Sequence, residues 1–291
     1  MFIFVERYYN MNHLAQIIKV KKNSGEIVPF DVFKFQKALL RSGVKQENIE
    51  DLTEEILYQI YDGISTKKIY QIAYKILRKK SKHLAGRYRL KKSIFELGPS
   101  GYPFEKFISR LLFYQGYKVQ TGVFVKGACV EHEVDVVAEK DDEIMMVECK
   151  FHSTQGRTSD VKVSLYIHAR FQDIKSTFQK KGLHKNKKFT AVLATNTRFT
   201  DDAIRFGRCA NLQMISWNYP LQNNLLQWIE QSGYQPITCL TSVTKKVKQQ
   251  LMENDIVLCR ELEDNISKMR SIGLREPQIK AILKEVKNIF N

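Results

Sequence analysis

The sequence predicts a mixed α/β (α+β) protein with an N-terminal β-hairpin covered by helices, a central mixed sheet flanked by helices, and a helical C-terminal tail. Three observations predict this fold. Apolar residues recur at helical spacing in stretches that follow residues 31, 100 and 220. Apolar and polar residues alternate at 17–30 and at 132–150, as they do in paired strands. The chain of 291 residues is long enough for two or three compact units.

The first unit, expected over residues 15–95, begins with a hairpin whose turn is the Asn-Ser-Gly sequence at 23–25. Pro29 lacks an N–H donor, which confines the second arm to a sheet edge or a strand end. Asp31 is expected to cap the first helix, and Ser65 a later one, because short polar side chains accept hydrogen bonds from the first turn. The unit is therefore a small hairpin covered by helices.

Glycine and proline at 98–103, after a basic helix end, mark a boundary before the second unit, expected over residues 100–220. An amphipathic helix follows, with apolar residues at helical spacing from Phe104 to Leu112. Glu105 lies at the edge of its apolar stripe. In the first turn of a helix, such a glutamate most often complements the helix dipole, and the alternative is that it faces a buried site.

The stretch from residue 132 to residue 150 predicts two strands joined by an acidic turn. Because side chains alternate along a strand, Glu148 and Lys150 share one face of the second strand, opposite Asp135 on the first. Buried charges are costly unless they pair or bind an ion. The pattern therefore predicts either a salt bridge at the strand end or a cation site.

A divalent cation site accounts for all three of these charged residues. Mg²⁺, or Mn²⁺ in its place, binds to one or two carboxylates, several waters and a substrate phosphate. A lysine beside such an ion can stabilise charge on the phosphate or orient the attacking water. A lone Glu-x-Lys tripeptide is more often a simple ion pair, so the cation hypothesis depends on the surrounding sequence.

The segment VKKNSGEIVPFDVFKFQKAL resembles the ATP-cone domain, the allosteric nucleotide site of ribonucleotide reductases. The resemblance implies that ATP or dATP binds here, and a turn that exposes backbone N–H groups beside lysines suits a triphosphate. Lys22 stands where the family favours arginine. The alternative is a surface hairpin whose lysines prevent edge pairing. The residues expected to bind the nucleotide are Lys21, Lys22, Ser24, Gly25 and Lys34.

Residues 101–219 resemble the Mrr-like restriction endonucleases of the PD-(D/E)xK superfamily. The resemblance rests on GYPFEKFISRLLFYQGYKV, VDVVAE, MMVECKF and FTAVLATNTRFTDDAIRFGRCANLQMISW. Where relatives often have Gly-x-Asp, this chain has His-Glu-Val-Asp. The roles that the resemblance implies are metal binding by Asp135, Glu148 and Glu105, catalysis by Lys150 together with these acids, and a further catalytic contribution from Gln155.

A helix at about 160–181 is expected to connect the Glu-x-Lys strand to a strand at 190–195 in a β-α-β unit. Residues 221–291 predict a helical C-terminal region. That region faintly resembles small helical modules that bind nucleic acid. A helical lid or an oligomerisation tail is the favoured interpretation.

The composition suits a nucleic-acid partner, since 47 basic residues outnumber 31 acidic ones and give a net charge of +16. Lysine-rich solvated faces explain such a charge equally well. Five scattered cysteines predict a reducing, cytoplasmic location, and zinc binding by Cys129, His132, Cys149 and His152 is a less favoured alternative. The sequence contains no apolar run of about 18 residues, as a membrane-spanning helix would require.

The combined hypothesis is an oligomeric, metal-dependent endonuclease that hydrolyses DNA phosphodiester bonds and is regulated by ATP or dATP. A role in restriction or defence follows from the resemblance alone. Two alternatives stay open: a non-catalytic, nucleotide-sensing DNA-binding regulator, and a nuclease that acts on RNA or branched DNA.

Overall fold

The computed structural model describes residues 18–22, 24–154, 156–180 and 187–290. Its fold is mixed α/β, as the sequence predicts. The described helices are α1 (Val32–Arg41), α2 (Ile49–Leu57), α3 (Thr66–Lys80), α4 (Lys82–Tyr88), α5 (Leu90–Phe95), α6 (Tyr102–Tyr114), α7 (Val161–Lys180), α8 (Asp201–Cys209), α9 (Leu225–Ser232), α10 (Lys245–Glu253), α11 (Ile266–Ser271) and α12 (Glu276–Phe290). The described strands are β1 (Lys19–Lys21), β2 (Ile27–Pro29), β3 (Lys118–Lys126), β4 (Glu131–Lys140), β5 (Glu143–Lys150), β6 (Thr158–Ser159), β7 (Lys188–Thr195), β8 (Arg198–Phe199) and β9 (Gln213–Ile215).

The described chain divides into two compact units. The first contains the residues up to Lys91, the short segment Cys239–Thr244 and helix α12. The second contains Lys92–Thr238 and Lys245–Arg275. The C-terminal helices are thus divided between the two units.

The first unit contains the expected hairpin, in which β1 pairs with β2 antiparallel and Val20 lies opposite Val28. Asp31 caps α1 by accepting a hydrogen bond from the backbone N–H of Lys34 at 2.8 Å. Ser65 caps α3 in the same way. One core forms where the apolar faces of these elements meet, and its most deeply buried members are Leu39, Ile56, Ala73, Leu77 and Ala85.

The second unit is built on a five-stranded sheet with the order β3-β4-β5-β7-β9. Strands β3, β4 and β5 are antiparallel neighbours, whereas β5, β7 and β9 run parallel. The long helix α7 connects β5 to its parallel neighbour β7, as the predicted β-α-β unit requires. Strands β6 and β8 form a separate two-stranded sheet.

The register of the central strands decides which polar side chains meet. Val137 on β4 lies opposite Met146 on β5, and Glu148 on β5 lies opposite Leu193 on β7. Asp135 is two residues before Val137, and Glu148 is two residues after Met146. Since side chains alternate along a strand, both acids belong to the same face of the sheet.

Helix α6 covers part of the sheet with the predicted apolar stripe, from Phe104 to Leu112, whose members are at most 2% exposed. Burying each such side chain contributes roughly 1.5–3 kcal/mol. The stripe fixes the rotation of α6 about its own axis, and this rotation places Glu105 at the edge of the buried face. Among the described residues, every helix is too short or too polar to span a bilayer.

Candidate active site

The site is built from the adjoining ends of β4 and β5, with α6 beside them. Asp135 precedes the regular β4–β5 ladder, which begins where Val136 lies opposite Val147. Its carboxylate Oδ2 accepts a hydrogen bond from the backbone N–H of Cys149 at 2.7 Å. The side chain of Asp135 therefore takes the place of a ladder partner, and this contact holds the carboxylate next to Glu148.

Three carboxyl groups share this region, and burial raises the pKa of each. Burial, followed by the charges of Asp135 and Glu148, raises the pKa of Glu105 to about 7. Burial and then Asp135 raise the pKa of Glu148 to about 7, although Arg170 and Lys150 act in the opposite direction. Burial raises the pKa of Asp135, and the hydrogen bond from Cys149 opposes the shift. Three negative charges are therefore unfavourable here without a further cation.

Arg170 on α7 is the residue that sequence reasoning missed. Its Nη1 lies 2.8 Å from Glu148 Oε2, and its Nη2 donates to the backbone carbonyl of Glu133. The two charged side chains are only 14% and 19% exposed. The sequence contained one indication of this role: Arg170 is a charged residue within the buried stripe of α7, where Ile167 and Ile174 flank it at helical spacing.

Lys150 lies at the end of β5 and is exposed. Within the described part of the chain it forms no ion pair shorter than 4.0 Å, but its charge lowers the pKa of both Asp135 and Glu148. The alternative of a strand-end salt bridge between Lys150 and one acid is therefore not what the structure contains. Arg170 is the cation paired with Glu148 instead.

The backbone around Lys150 is held by the end of β7. Thr195 Oγ1 donates to the carbonyl of Lys150 at 2.7 Å. The amide of Asn196 accepts from the N–H of His152 and donates to its carbonyl, both at 2.8 Å. The side chains of Thr195, the last residue of β7, and Asn196, which follows it, are completely buried. These three hydrogen bonds extend the β5–β7 pairing beyond the last residue of β5 and fix the position from which Lys150 projects.

The donor set fits a hard divalent cation bound partly by water. Within the described ranges, no group of three His, Cys, Asp or Glu side chains lies close enough together to hold a metal ion, so Glu105 does not join Asp135 and Glu148 as a third ligand in this arrangement. Mg²⁺ rarely uses three such ligands and typically takes one or two carboxylates. Among the described residues, Asp135 and Glu148 each use one oxygen in the side-chain contacts above. Two partly buried acids with raised pKa values, each with a second oxygen, are the observation that fits the ion.

The alternative zinc ligands make other contacts. His132 Nε2 lies 2.8 Å from Asp173, and His152 Nε2 lies 3.0 Å from the hydroxyl of Ser159. Burial raises the pKa of the Cys149 thiol well above its usual value, which disfavours the thiolate that zinc requires. Gln155, the remaining predicted catalytic residue, lies outside the described residues.

The first unit contains a pocket of about 390 Å³ beside the hairpin. Lys22, Lys34 and Thr66 contribute to its lining, together with Tyr70 and Tyr88, whose rings stack at 5.1 Å. The predicted nucleotide residues Lys21, Ser24 and Gly25 are not among the lining residues. Sequence reasoning missed both tyrosines, which are distant from the hairpin in sequence. The structure thus brings two of the five predicted residues to one cavity with an aromatic wall.

Comparison with known proteins identifies three matching regions. Residues 18–93 match the ATP cone domain, and residues 98–219 match the Mrr catalytic domain, described as a restriction endonuclease. Residues 235–290 match the C-terminal domain described as AF1548-like.

One further protein and two solved structures are also similar to this chain. An uncharacterised protein of Archaeoglobus fulgidus is 34% identical over 184 residues, which are 63% of this chain and 99% of that protein. The crystal structure of the protein of unknown function AF1548 matches with a TM-score of 0.54 and 31% identity, over 65% of this chain and 98% of that one. The MspJI restriction endonuclease in complex with a 27-mer oligonucleotide matches with a TM-score of 0.31 and 12% identity, over 46% of this chain and 29% of that one.

Proposed function

Because the chain belongs to the AF1548-like family and carries an ATP-cone domain followed by a restriction endonuclease domain, we propose that it is a metal-dependent DNA endonuclease regulated by an adenine nucleotide. The observation that carries the proposal is the shared sheet face of Asp135 and Glu148, two partly buried acids at the adjoining ends of β4 and β5, with Lys150 following on β5 and Glu105 near enough for its pKa to respond to both charges. This arrangement of three acids and a lysine suits the hydrolysis of a phosphodiester.

Each residue has a role in this proposal. Asp135 and Glu148 would hold Mg²⁺ or Mn²⁺, with Glu105 completing the site from α6. When bound, the ion would polarise a phosphoryl oxygen and lower the pKa of a bound water. Lys150 is exposed beside the two acids, where it can stabilise the negative charge that develops on the phosphate. The predicted contribution of Gln155 stays part of the proposal.

DNA is the proposed substrate, and exposed cations on the segments that follow the site in the chain support a polyanionic one. Burial lowers the pKa of the His152 imidazole, and the nearby charges of Lys150 and Arg157 lower it further. Arg198 is exposed on β8, which pairs with β6, and Lys162 is exposed in the first turn of α7. Such a group of cations suits the phosphate backbone of a nucleic acid. Together with the net charge of +16, it supports a polyanionic substrate.

The pocket in the first unit is the proposed site for ATP or dATP. Lys22 and Lys34 can bind phosphates as mobile point charges, and the walls formed by Tyr70 and Tyr88 can contact the base. We further propose that the nucleotide changes the oligomeric state of a homo-oligomer and so controls cleavage in the cytoplasm. The proposal of nucleotide control rests on the presence of a sensor-like domain and a nuclease-like domain in one chain.

A cleavage assay tests the nuclease proposal. Plasmid DNA, branched and linear DNA oligonucleotides and RNA are incubated with the full chain and Mg²⁺ or Mn²⁺, with and without ATP or dATP. Asp135→Asn, Glu148→Gln and Lys150→Ala should abolish cleavage but keep DNA binding. Lys118→Ala, which changes an exposed lysine at the start of β3, serves as the matched control. DNA binding without cleavage by the wild-type protein under every condition would favour the non-catalytic regulator.

The regulatory proposal is tested by mass and by rate. Light scattering during gel filtration measures the molecular mass with and without each nucleotide, and the cleavage assay is run on the same samples. We expect both the mass and the rate to change on nucleotide addition, and Lys34→Ala to weaken both responses. Equal masses and equal rates in all samples would exclude this form of regulation.

A further inference from the structure

We infer that Asp173 is a positioning residue, which fixes the separation of the proposed metal ligands Asp135 and Glu148 by clamping the hairpin arm that ends at Asp135. The arm consists of Val123–Lys126 on β3 and Glu131–Val134 on β4, together with the turn that joins them. The inference rests on the proposed nuclease function, and it concerns how the protein arranges the two acids before an ion binds.

The arm extends beyond β5 and is joined to the rest of the sheet at Asp135. Within the described sheet, β4 pairs with β5 only from Val136 onward, whereas residues 131–134 pair with β3 alone. On β3, Gly122 lies opposite Asp135 and interrupts the ladder with a φ of +62°, a conformation that suits glycine. Both strands depart from regular pairing at this level. A change in the angle of the arm therefore moves Asp135 relative to Glu148 on β5.

Asp173 on α7 holds the tip of the arm through four contacts. Its carboxylate accepts hydrogen bonds from the backbone N–H groups of Cys129 at 2.8 Å and Val130 at 3.3 Å. The same carboxylate lies 2.8 Å from His132 Nε2, and this contact holds the pKa of Asp173 well below its usual range. The backbone carbonyl of Asp173 accepts from the N–H of Ala128 at 3.1 Å. One residue therefore binds the whole turn of the arm.

The arm also packs against α7 through apolar side chains. Val134 is 5% exposed and belongs to one core cluster with Ile167 and Phe171 of α7. Apolar packing has no preferred direction, so it keeps the arm on the helix without fixing its angle. Hydrogen bonds weaken steeply when their geometry is distorted. The polar contacts of Asp173 therefore decide the angle at which the arm lies on α7.

Helix α7 thus holds both metal ligands, through two residues about one turn apart. Arg170 contacts the side chain of Glu148 and the carbonyl of Glu133 at the base of the arm. Asp173 holds the tip. Without the tip contacts, the arm turns about its base, and Asp135 takes a wider range of distances from Glu148. A hard cation such as Mg²⁺ needs its oxygen ligands at about 2.1 Å, so this wider range weakens cation binding.

Hydrogen–deuterium exchange of the full chain in EDTA tests the clamp itself. Asp173→Ala removes the carboxylate, and Asp202→Ala, which removes an exposed aspartate paired with Arg205 on α8, is the matched control. Amides of residues 123–134 should exchange about tenfold faster in Asp173→Ala, because opening of the arm no longer breaks charged hydrogen bonds. Exchange in β7 should stay unchanged. Equal exchange in the arms of the wild type and Asp173→Ala would overturn the inference.

Cation binding distinguishes a positioning role from a purely structural one. Calorimetric titration of the folded full chain with Mn²⁺ should show about tenfold weaker binding by Asp173→Ala, a loss typical of residues that orient metal ligands. Asp173→Asn keeps a side-chain acceptor of the same shape and should recover part of the affinity. Gly127→Ala disturbs the clamp from the arm, because its new methyl group would overlap the Asp173 carboxylate. It should also weaken Mn²⁺ binding, and it decides the question if Asp173→Ala does not fold.

Cleavage at saturating Mn²⁺ completes the test. Once the ion holds both acids, kcat of Asp173→Ala should return to the wild-type value. A kcat that stays low, or Mn²⁺ binding as tight as that of the wild type, would overturn the inference and leave the proposed function intact. If the wild type binds Mn²⁺ but cleaves no nucleic acid, the proposed function fails, whereas the Mn²⁺ titration still decides the role of Asp173. A wild type that binds no Mn²⁺ would overturn both proposals.

Discussion

Replacing Glu105 with glutamine should make the free energy of unfolding, measured in EDTA, less sensitive to rising pH. Burial and the charges of Asp135 and Glu148 raise the pKa of Glu105 from 4.5 to about 7. The folded protein therefore binds more protons than the unfolded chain between these two pH values. It follows that the contribution of Glu105 to stability is fully present below pH 4.5 and is lost as the pH rises through about 7.

The magnitude of this effect comes from the size of the shift. Each pKa unit corresponds to about 1.4 kcal/mol, so the shift from 4.5 to about 7 sets an upper limit of about 3 kcal/mol. Partial exposure of the carboxyl group reduces this to about 2 kcal/mol. Glu105→Gln should thus equal the wild-type free energy of unfolding at pH 4 and exceed it by about 2 kcal/mol at pH 8.

Urea unfolding in EDTA at several pH values measures the difference. The two tryptophans, Trp217 and Trp228, both lie in the second unit, so their fluorescence reports on the unit that contains the site. Glu131→Gln, at the exposed start of β4, is the control. The same pH dependence in wild type and Glu105→Gln would refute the reasoning. Added Mg²⁺ should stabilise the wild type at pH 8 more than it stabilises Glu105→Gln.

Three further predictions concern single contacts. Thr195→Val removes the hydroxyl that donates to the Lys150 carbonyl and should lower kcat with Mn²⁺ affinity unchanged, whereas Thr195→Ser should keep full activity. Equal cleavage rates for the two variants would show that the hydrogen bond has no catalytic effect. Lys34→Ala should weaken ATP binding about tenfold in calorimetry, and the exposed Lys45 should be replaceable without effect. Gly127→Ala should lower the free energy of unfolding by about 1–3 kcal/mol, because the new methyl group would overlap the Asp173 carboxylate; unchanged urea midpoints would contradict this.

Features that depend on neighbours in sequence could be predicted from the sequence. Asp31 and Ser65 cap helices through contacts between residues only a few positions apart. The β1–β2 hairpin that precedes Asp31 also pairs residues close in sequence. The shared face of Asp135 and Glu148 follows from strand alternation and a short turn. Their metal-binding and catalytic roles stay predictions, because they depend on an ion and a substrate.

Features that depend on packing could not be predicted in this way. The pairing of Arg170 with Glu148 joins a helix to a strand and depends on the rotation of α7 over the sheet. The aromatic wall of Tyr70 and Tyr88 depends on how two helices pack beside the hairpin. The C-terminal helices divide between two units, although their sequence predicts one helical region.

The sequence by itself determined the N-terminal hairpin with its capped helices, the pairing of β4 with β5 and the two acids and one lysine at their ends, because these features are encoded in short-range periodicity and in family motifs. The tertiary structure alone decided which cation neutralises Glu148, which side chains enclose the pocket in the first unit, and which unit each C-terminal helix joins. The physical reason is that residues far apart in sequence meet only after hydrophobic burial has fixed the rotation and position of whole helices.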